Sequence, residues 1–288
     1  MGKASVMNNK DIINDVSAKN DRSRRSKIKA NKIEDVFKNN KALMPYVTAG
    51  DPDLETTAEI MLTLDQSGAD LIEVGVPFSD PLADGPVIQA AGQRALKAGT
   101  DLQKIIKMLK GIKDEMNTPY LLMGYINPIL SYGKERFIED AIDAGVSGVI
   151  IPDLPFDQDL EFIQQLIDNN LSPVLMVTPV TSEERLKLIC RLSRGFIYCV
   201  SLLGITGSKQ GPLKSIGSYL DKVRNYTDLP LALGFGIDGP EKVKNILNSV
   251  DGVIIGTALV KIVEKYGDDK EKLLGEISDF IRDIKNVM

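Results

Sequence analysis

The sequence predicts a (β/α)8 barrel, and three observations support this fold class. The chain has 288 residues, close to the roughly 250 that such barrels typically contain. Eight short apolar runs of β type recur along it, each followed by a segment with helical periodicity. The runs are almost continuously apolar, as expected for parallel strands that are buried on both faces. Eight such units favour a closed barrel with outer helices over an open, doubly wound sheet.

The elements are predicted in a regular order along the chain. Helical segments between the strands have Leu, Ile and Ala three or four residues apart. The longest gap, between the second and third strands, has room for two helices, and a final helix is expected to pack across the bottom or the side of the barrel. The predicted strands are residues 43–48, 71–74, 120–125, 148–151, 173–177, 196–200, 231–234 and 252–255. The predicted helices include residues 54–66, 87–98, 102–113, 160–169 and 270–287.

Charge divides the chain into two parts. Residues 1–32 contain nine Lys or Arg and three Asp, a net charge of +6, whereas the remainder has 26 basic and 37 acidic side chains, a net charge of -11. An acidic body argues against nucleic acid as the partner. The basic, Asn- and Ser-rich start has no apolar stretch and is typical of a disordered extension. We therefore expect an extension over residues 1–31 and a barrel domain over residues 32–288.

Composition also restricts the chemistry. The sequence has no His, which excludes histidine acid-base catalysis, a Ser-His-Asp triad and the commonest zinc sites, and we expect no metal site. Cys190 and Cys199 both lie in apolar stretches typical of buried thiols, which favours a reducing, cytoplasmic compartment. No apolar run approaches the roughly 20 residues of a membrane span, so no membrane association is expected.

The second predicted unit, LIEVGVPFSDPLADGPVIQ, places a carboxylate inside an apolar strand. A buried Glu73 either pairs with a Lys or Arg or has a raised pKa and acts as an acid or base. The loop that follows carries Asp80 and Asp84 and is stiffened by prolines, which limits where these side chains point. Two carboxylates in different environments can divide the roles of acid and base. Active sites of barrels lie at this end of the strands.

Glycines mark the last three predicted units. Gly234, Gly236 and Gly239 form a G-x-G-x-x-G pattern after the seventh strand, but a dinucleotide site would have this pattern in an early unit. Loops after strands 7 and 8 commonly bind phosphate at a helix N-terminus, so we predict a phosphate site here, completed by Gly256 and Thr257. Close helix-strand packing and an N-cap are the structural alternative for these two.

A long Gly-rich segment, SLLGITGSKQGP, follows the sixth predicted strand. Such a loop can close over a substrate and exclude water. The alternative is a surface loop with no mechanistic role.

Seven segments in this order identify a family. MPYVTAGDPD, LIEVGVPFSDPLADGP, LLMGYINP, VIIPDLP, GITG, GFGI and GVIIGTALVK closely resemble the tryptophan synthase α subunit. The similarity extends from about Lys32 to the C-terminus. It implies cleavage of indole-3-glycerol phosphate, a small-molecule substrate, to indole and glyceraldehyde 3-phosphate, with indole passing to a β subunit for tryptophan synthesis.

The resemblance implies roles for individual residues. Glu73 matches the family's general acid-base, and Asp84 matches the carboxylate that accepts the indole N–H. The absence of His, and of a Lys at a predicted strand end, agrees with a retro-aldol cleavage in which protonation of the indole ring, rather than a metal or a Schiff base, accepts the electrons. Positions that shape the indole pocket or support the catalytic groups are matched by Tyr46, Thr48, Tyr125, Asp153, Tyr198, Thr206 and Phe235. Positions that hold the phosphate are matched by Gly207, Gly236, Gly256 and Thr257.

The same resemblance implies a partner. Pro77, Asp80 and Asn127 match the region that faces a β subunit, although each is also an ordinary turn-forming residue. The β subunit is expected to carry pyridoxal phosphate in an α2β2 complex, whereas the α chain needs no cofactor of its own. The alternatives are a lyase that acts alone, a mainly regulatory subunit, and another phosphate-binding barrel such as a sugar isomerase or indole-glycerol phosphate synthase.

Overall fold

A computed structural model describes residues 31–38, 40–154, 157, 159–200, 213–234 and 236–288. In these ranges parallel strands form one sheet, and helices surround it, which confirms the predicted barrel class. Nine strands are paired in the order β5-β4-β3-β2-β1-β9-β8-β7-β6. They are β1 Ala42–Thr48, β2 Ile72–Gly75, β3 Tyr120–Met123, β4 Gly148–Ile150, β5 Ser172–Pro173, β6 Met176–Val177, β7 Ile197–Val200, β8 Leu231–Gly234 and β9 Gly252–Ile255.

The fifth predicted strand, residues 173–177, is divided into β5 and β6. β5 pairs with β4, and β6 pairs with β7. Between them, the Val174 N–H donates to the Val149 carbonyl at 2.9 Å, and the Tyr198 N–H donates to the Leu175 carbonyl at 3.1 Å. This segment therefore joins both edges of the sheet and closes the ring, so the eight predicted strand positions and the nine observed strands describe the same barrel.

Helices follow the strands on the outside, and their bounds agree with the predicted ones within two residues. Side-chain acceptors cap several of them, as Asp53 and Asp101 do for the helices after them. The helices are α1 Lys32–Val36, α2 Leu54–Ser67, α3 Pro86–Lys97, α4 Leu102–Ile112, α5 Ile126–Tyr132, α6 Lys134–Asp143, α7 Leu160–Asp168, α8 Glu183–Leu192, α9 Leu213–Arg224, α10 Pro240–Ile246, α11 Thr257–Tyr266 and α12 Lys270–Lys285.

Two apolar cores stabilise this arrangement. One lies between the strands and the outer helices, and the other fills the barrel interior with side chains such as Leu121, Ile150, Val174 and Ile254. Cys190 and Cys199 are both buried and free, as the sequence predicted. None of the helices in the described ranges combines the length and the apolar character needed to cross a bilayer.

Helix α1 covers the N-terminal end of the barrel, a role not predicted from the sequence. Asn31 caps it by accepting from the Ile33 N–H, and its amide donates to the Ser147 and Asn170 carbonyls, each at 2.9 Å. Ile33 is fully buried, and the rings of Phe37 and Phe196 lie 5.6 Å apart. One turn of helix is too short to show periodicity. Helix α12 instead packs on the side of the barrel, where Ser278 bonds Ser67 at 2.9 Å.

Candidate functional site

Glu73 lies in β2 with its side chain in the barrel interior. It is fully buried, and neither carboxylate oxygen has a hydrogen-bond partner within the described residues. The alternative of a buried ion pair is therefore not supported by any described residue. Burial penalises the charged form and raises the pKa of Glu73 to about 8. A carboxyl group in this state is largely protonated at neutral pH and can donate a proton.

Asp84 lies on the loop between β2 and α3 and is half-buried. Its N–H donates to the Pro81 carbonyl at 3.1 Å. Burial raises the pKa of Asp84 to about 6, although a hydrogen bond from the Tyr125 hydroxyl opposes this shift. Asp84 is thus largely ionised at neutral pH, whereas Glu73 is largely protonated. The two environments therefore keep Glu73 as an acid and Asp84 as an anion at neutral pH.

Tyr46 lies near enough to both carboxylates for each to act on its pKa. In the sheet register its backbone is opposite Glu73, and the Thr48 hydroxyl lies 3.4 Å from its hydroxyl. Burial and then the negative charge of Asp84 raise the pKa of Tyr46, and Glu73 adds to this effect. A methyl group at Gly75 would come within 2.0 Å of the Tyr46 hydroxyl oxygen. Only glycine at this position leaves room for the ring.

Tyr198 enters the same space from β7. It is 4% exposed, and its pKa is raised by burial and by the nearby Glu73. A Cβ atom at Gly234 would lie 2.5 Å from the Tyr198 hydroxyl oxygen. The first glycine of the G-x-G-x-x-G pattern therefore makes room for a tyrosine.

Tyr125 holds the loop that carries Asp84. Its hydroxyl accepts from the Ala83 N–H at 2.9 Å, and the interaction of this hydroxyl with the Asp84 carboxylate lowers the pKa of Asp84. Its ring stacks on Phe78 with centroids 5.1 Å apart. Asp153 is exposed, and its carboxylate accepts from the N–H of Ile126, the first residue of α5, at 2.9 Å. Asp153 therefore fixes the helix start next to Tyr125.

The described phosphate candidates lie after neighbouring strands. Gly236 has a left-handed φ of 78°, and its carbonyl accepts from Lys242 at 3.0 Å. Gly256 is the N-cap of α11 and has no side chain with which to cap it, and Thr257 is the exposed first residue of this helix. Backbone N–H groups at such a start are well suited to an anion. Thr206, Gly207 and Phe235 lie outside the described residues.

The three residues matched to a partner differ in exposure. Asp80 and Asn127 are exposed, whereas Pro77 is buried, with its Cβ 3.9 Å from the position of a Cβ built on Gly92. Pro77 therefore shapes the loop from inside and offers no open surface. Two apolar side chains in the same region, Leu82 and Leu130, are 94% and 50% exposed.

Sequence reasoning missed Gln89, in the first turns of α3. Its amide Nε2 donates to the Asp84 carbonyl at 2.9 Å and to the Pro81 carbonyl at 3.3 Å. The sequence segment LADGPVIQ contains this residue, but nothing in the pattern of the segment indicates that the Gln89 side chain turns back toward the loop.

Comparisons with known proteins agree with this geometry. The family model described as tryptophan synthase alpha chain matches residues 12–288. The tryptophan synthase alpha chain of Petrotoga mobilis is 55% identical over 254 residues, which are 88% of this chain and 98% of that protein. The one from Geotalea uraniireducens is 45% identical over 82% of this chain and 89% of its own length.

Solved structures give the same result. The crystal structure of tryptophan synthase subunit alpha from Legionella pneumophila superposes with a TM-score of 0.83 at 34% identity, covering 90% of this chain and 98% of that one. A chain of the tryptophan synthase complex from Pyrococcus furiosus has a TM-score of 0.76 at 34% identity, covering 86% and 98%. The chain belongs to the tryptophan synthase alpha chain family, and it is a lyase that cleaves indole-3-glycerol phosphate to indole and glyceraldehyde 3-phosphate.

Proposed function

We propose that Glu73 is the general acid-base of the cleavage and that Asp84 stabilises the positive charge on the indole ring. Two observations carry this proposal. Glu73 is buried with no partner among the described residues, which raises its pKa to about 8, and the pKa of Asp84, on the loop after the same strand, is about 6. At pH 7 Glu73 is protonated and Asp84 is ionised about nine-tenths of the time each.

In the proposed reaction the Glu73 carboxyl group donates one proton and later takes one proton back. Protonated Glu73 donates to C3 of indole, and the ring becomes a cationic indolenine whose N–H bonds to the Asp84 carboxylate. The Glu73 carboxylate then takes the proton from the hydroxyl on the adjacent glycerol carbon. The bond between this carbon and C3 breaks, its electron pair restores the neutral indole, and the carbon becomes the aldehyde of glyceraldehyde 3-phosphate.

The remaining candidates serve binding and orientation in this proposal. Tyr46, Thr48, Tyr125 and Tyr198 surround the two carboxylates, and Asp153 supports the start of α5. These contacts favour a flat, apolar substrate ring held between aromatic side chains. The phosphate is proposed to bind at the backbone N–H groups of Gly236, Gly256 and Thr257, on the positive end of the α11 dipole. Gly207, Thr206 and Phe235 are carried over from the family resemblance.

Activity of two variants tests the assignment. Glu73→Gln should abolish indole release while leaving substrate binding largely intact, because the amide is far too weak an acid to protonate C3 and too weak a base to take a proton from the glycerol hydroxyl. Asp84→Asn should lower kcat by roughly 100-fold or more, since removal of one preorganised charge-stabilising group typically costs this much. Near-normal turnover of Glu73→Gln would refute the acid-base role, and a mild effect of Asp84→Asn would reduce it to a loop residue.

We also propose that the chain works with a β subunit that binds pyridoxal phosphate, in an α2β2 complex in the cytoplasm. A partner surface at this end of the barrel is supported by two exposed polar residues, Asp80 and Asn127, and by two exposed apolar residues, Leu82 and Leu130. No step of the cleavage requires the partner's cofactor. Residues 1–31 are proposed as an extension to the barrel domain of residues 32–288, with Asn31, which caps α1, at the junction.

Two alternatives concern how the chain works. A lyase that acts alone would show full indole release that a β subunit does not increase, with no complex in size-exclusion chromatography. A mainly regulatory subunit would stimulate its partner even when Glu73→Gln blocks its own site. Faster indole release in a complex, lost in Glu73→Gln, would support the proposed function over both.

A further inference from the structure

The loop that carries Asp84 has little apolar anchoring at its tip. Leu82 is 94% exposed, and Ala83 is also exposed. A short exposed segment of this kind is held by hydrogen bonds to its backbone more than by burial. The position of the Asp84 carboxylate therefore depends on the groups that bond this backbone.

Four groups provide these bonds in the described residues, and the first is the Asp80 carbonyl, which accepts from the Leu82 N–H at 2.9 Å. The Asp84 N–H closes a turn onto the Pro81 carbonyl at 3.1 Å, and the Tyr125 hydroxyl accepts from the Ala83 N–H at 2.9 Å. The Gln89 amide donates its two hydrogens to the carbonyls of Asp84 and Pro81, at 2.9 and 3.3 Å. The opposite amide orientation would place an oxygen against two carbonyl oxygens, so the donor orientation is the favoured one. Gln89 thus spans both ends of the turn.

The helix that carries Gln89 is itself firmly attached. Arg94 of α3 makes two parallel bonds of 2.8 Å to the carboxylate of Asp51, which is 3% exposed and follows β1. Paired bonds of this geometry fix orientation as well as distance. Gln89 therefore connects the loop to an element whose position is set by the barrel.

We propose that Gln89 is a positioning residue for the cleavage, which sets the place of the Asp84 carboxylate by tying the turn from Pro81 to Asp84 to α3. This inference rests on the proposed role of Asp84. Ordinary helix capping does not explain the hydrogen bonds of the Gln89 side chain. Their acceptors are backbone carbonyls of the turn that precedes the helix, and one of them belongs to Asp84 itself.

The expected effect follows from how Asp84 acts. A carboxylate that stabilises charge only as the reaction proceeds affects kcat more than substrate affinity. A displacement of about 1 Å can cost on the order of 100-fold in rate. Gln89→Met keeps the length of the side chain and removes both donors, so kcat should fall by roughly 10-fold to 100-fold while KM changes by less than about 3-fold.

The test compares variants of the full-length chain by indole release from indole-3-glycerol phosphate. Gln93→Met is the matched control, since Gln93 lies exposed on the same helix, and it should retain wild-type kcat and KM. Gln89→Glu is a second variant that keeps shape and polarity but has no donor when ionised, and it should lose kcat as Gln89→Met does. Thermal unfolding of each variant checks that it is folded.

A double-mutant cycle separates positioning from general structural damage. If Gln89 acts through Asp84, adding Gln89→Met to Asp84→Asn should cause little further loss, well under 3-fold. An equal loss in both backgrounds would overturn the proposal, and so would a kcat of Gln89→Met equal to that of Gln93→Met. Failure of the wild type to release indole, or full activity of Asp84→Asn, would instead refute the proposed function, and the same assay reports both.

Discussion

Replacement of Glu73 by Gln should change the stability of the fold, relative to wild type, increasingly in favour of the variant as the pH rises. The carboxyl is fully buried, and its pKa is raised from 4.5 to about 8. Between these values the unfolded chain has released the proton that the folded chain retains. Deprotonation therefore favours the unfolded state, and stability is lost progressively as the pH rises from about 4.5 to about 8. The buried amide of Gln has no such titration.

The magnitude follows from the two pKa values. At about 1.4 kcal/mol per pH unit, the carboxyl destabilises the fold by about 1 kcal/mol at pH 5, about 3 at pH 7 and about 4 at pH 8. Any constant cost of burying the amide is the same at each pH. The difference in stability between Glu73→Gln and wild type should thus grow by about 3 kcal/mol from pH 5 to pH 8, which is roughly 6 to 12 °C in Tm.

Thermal unfolding of both proteins across this pH range measures the difference directly. All other titrating groups are common to the pair and cancel. Glu139→Gln, at an exposed position on α6, is the matched control and should give a nearly constant difference, because this side chain is in water in both states. A flat difference for Glu73→Gln, or one that falls with pH, would refute the account of Glu73 as a buried acid that has no partner in the described part of the chain.

Two further predictions follow from the site. The kcat/KM of the wild type should depend on pH as a bell-shaped curve with limbs near pH 6 and 8, because Asp84 must be ionised and Glu73 protonated in the free enzyme. Initial rates of indole release measure this profile. A profile that is flat from pH 5 to 9 would contradict the assignment. Gly75→Ala should lower activity and reduce the stability of the fold by about 1–3 kcal/mol, because the added methyl group displaces the Tyr46 ring. Gly111→Ala is the control: Gly111 has open space around it in α4, so this substitution should stabilise the fold by about 0.5–1 kcal/mol. Equal urea midpoints for the two glycine variants would show that the crowding at Gly75 has no effect.

Much of the barrel could be predicted because its rules are local. Strands such as Leu231–Gly234 are apolar on both faces, and helices such as Leu102–Ile112 repeat their apolar residues every three or four positions. The division of the fifth strand was not predictable in the same way. It arises because residues 172–177 bond one neighbour with their first half and the other neighbour with their second, which depends on closure of the whole ring.

One candidate, Glu73, was found because its side chain conflicts with its local setting, whereas most of the other candidates came from the family resemblance. Glu73 is conspicuous inside LIEVG because a carboxylate does not belong in an apolar strand. Gln89 has no such conflict, since a polar residue in the first turns of a helix is ordinary. Its hydrogen bonds to the preceding loop depend on the path of that loop, which the prolines restrict without specifying.

The sequence alone determined the fold class and the absence of histidine chemistry, because periodicity and residue type are properties of the chain itself. The family resemblance added Glu73 and Asp84 as the two carboxylates on which the proposed mechanism depends. Tertiary structure decided that no Lys or Arg among the described residues pairs with Glu73, although by sequence any of them could have reached it. It also decided that Gly75 and Gly234 make room for the hydroxyls of Tyr46 and Tyr198. These facts depend on contacts between strands that are far apart in sequence, and no local pattern records such contacts.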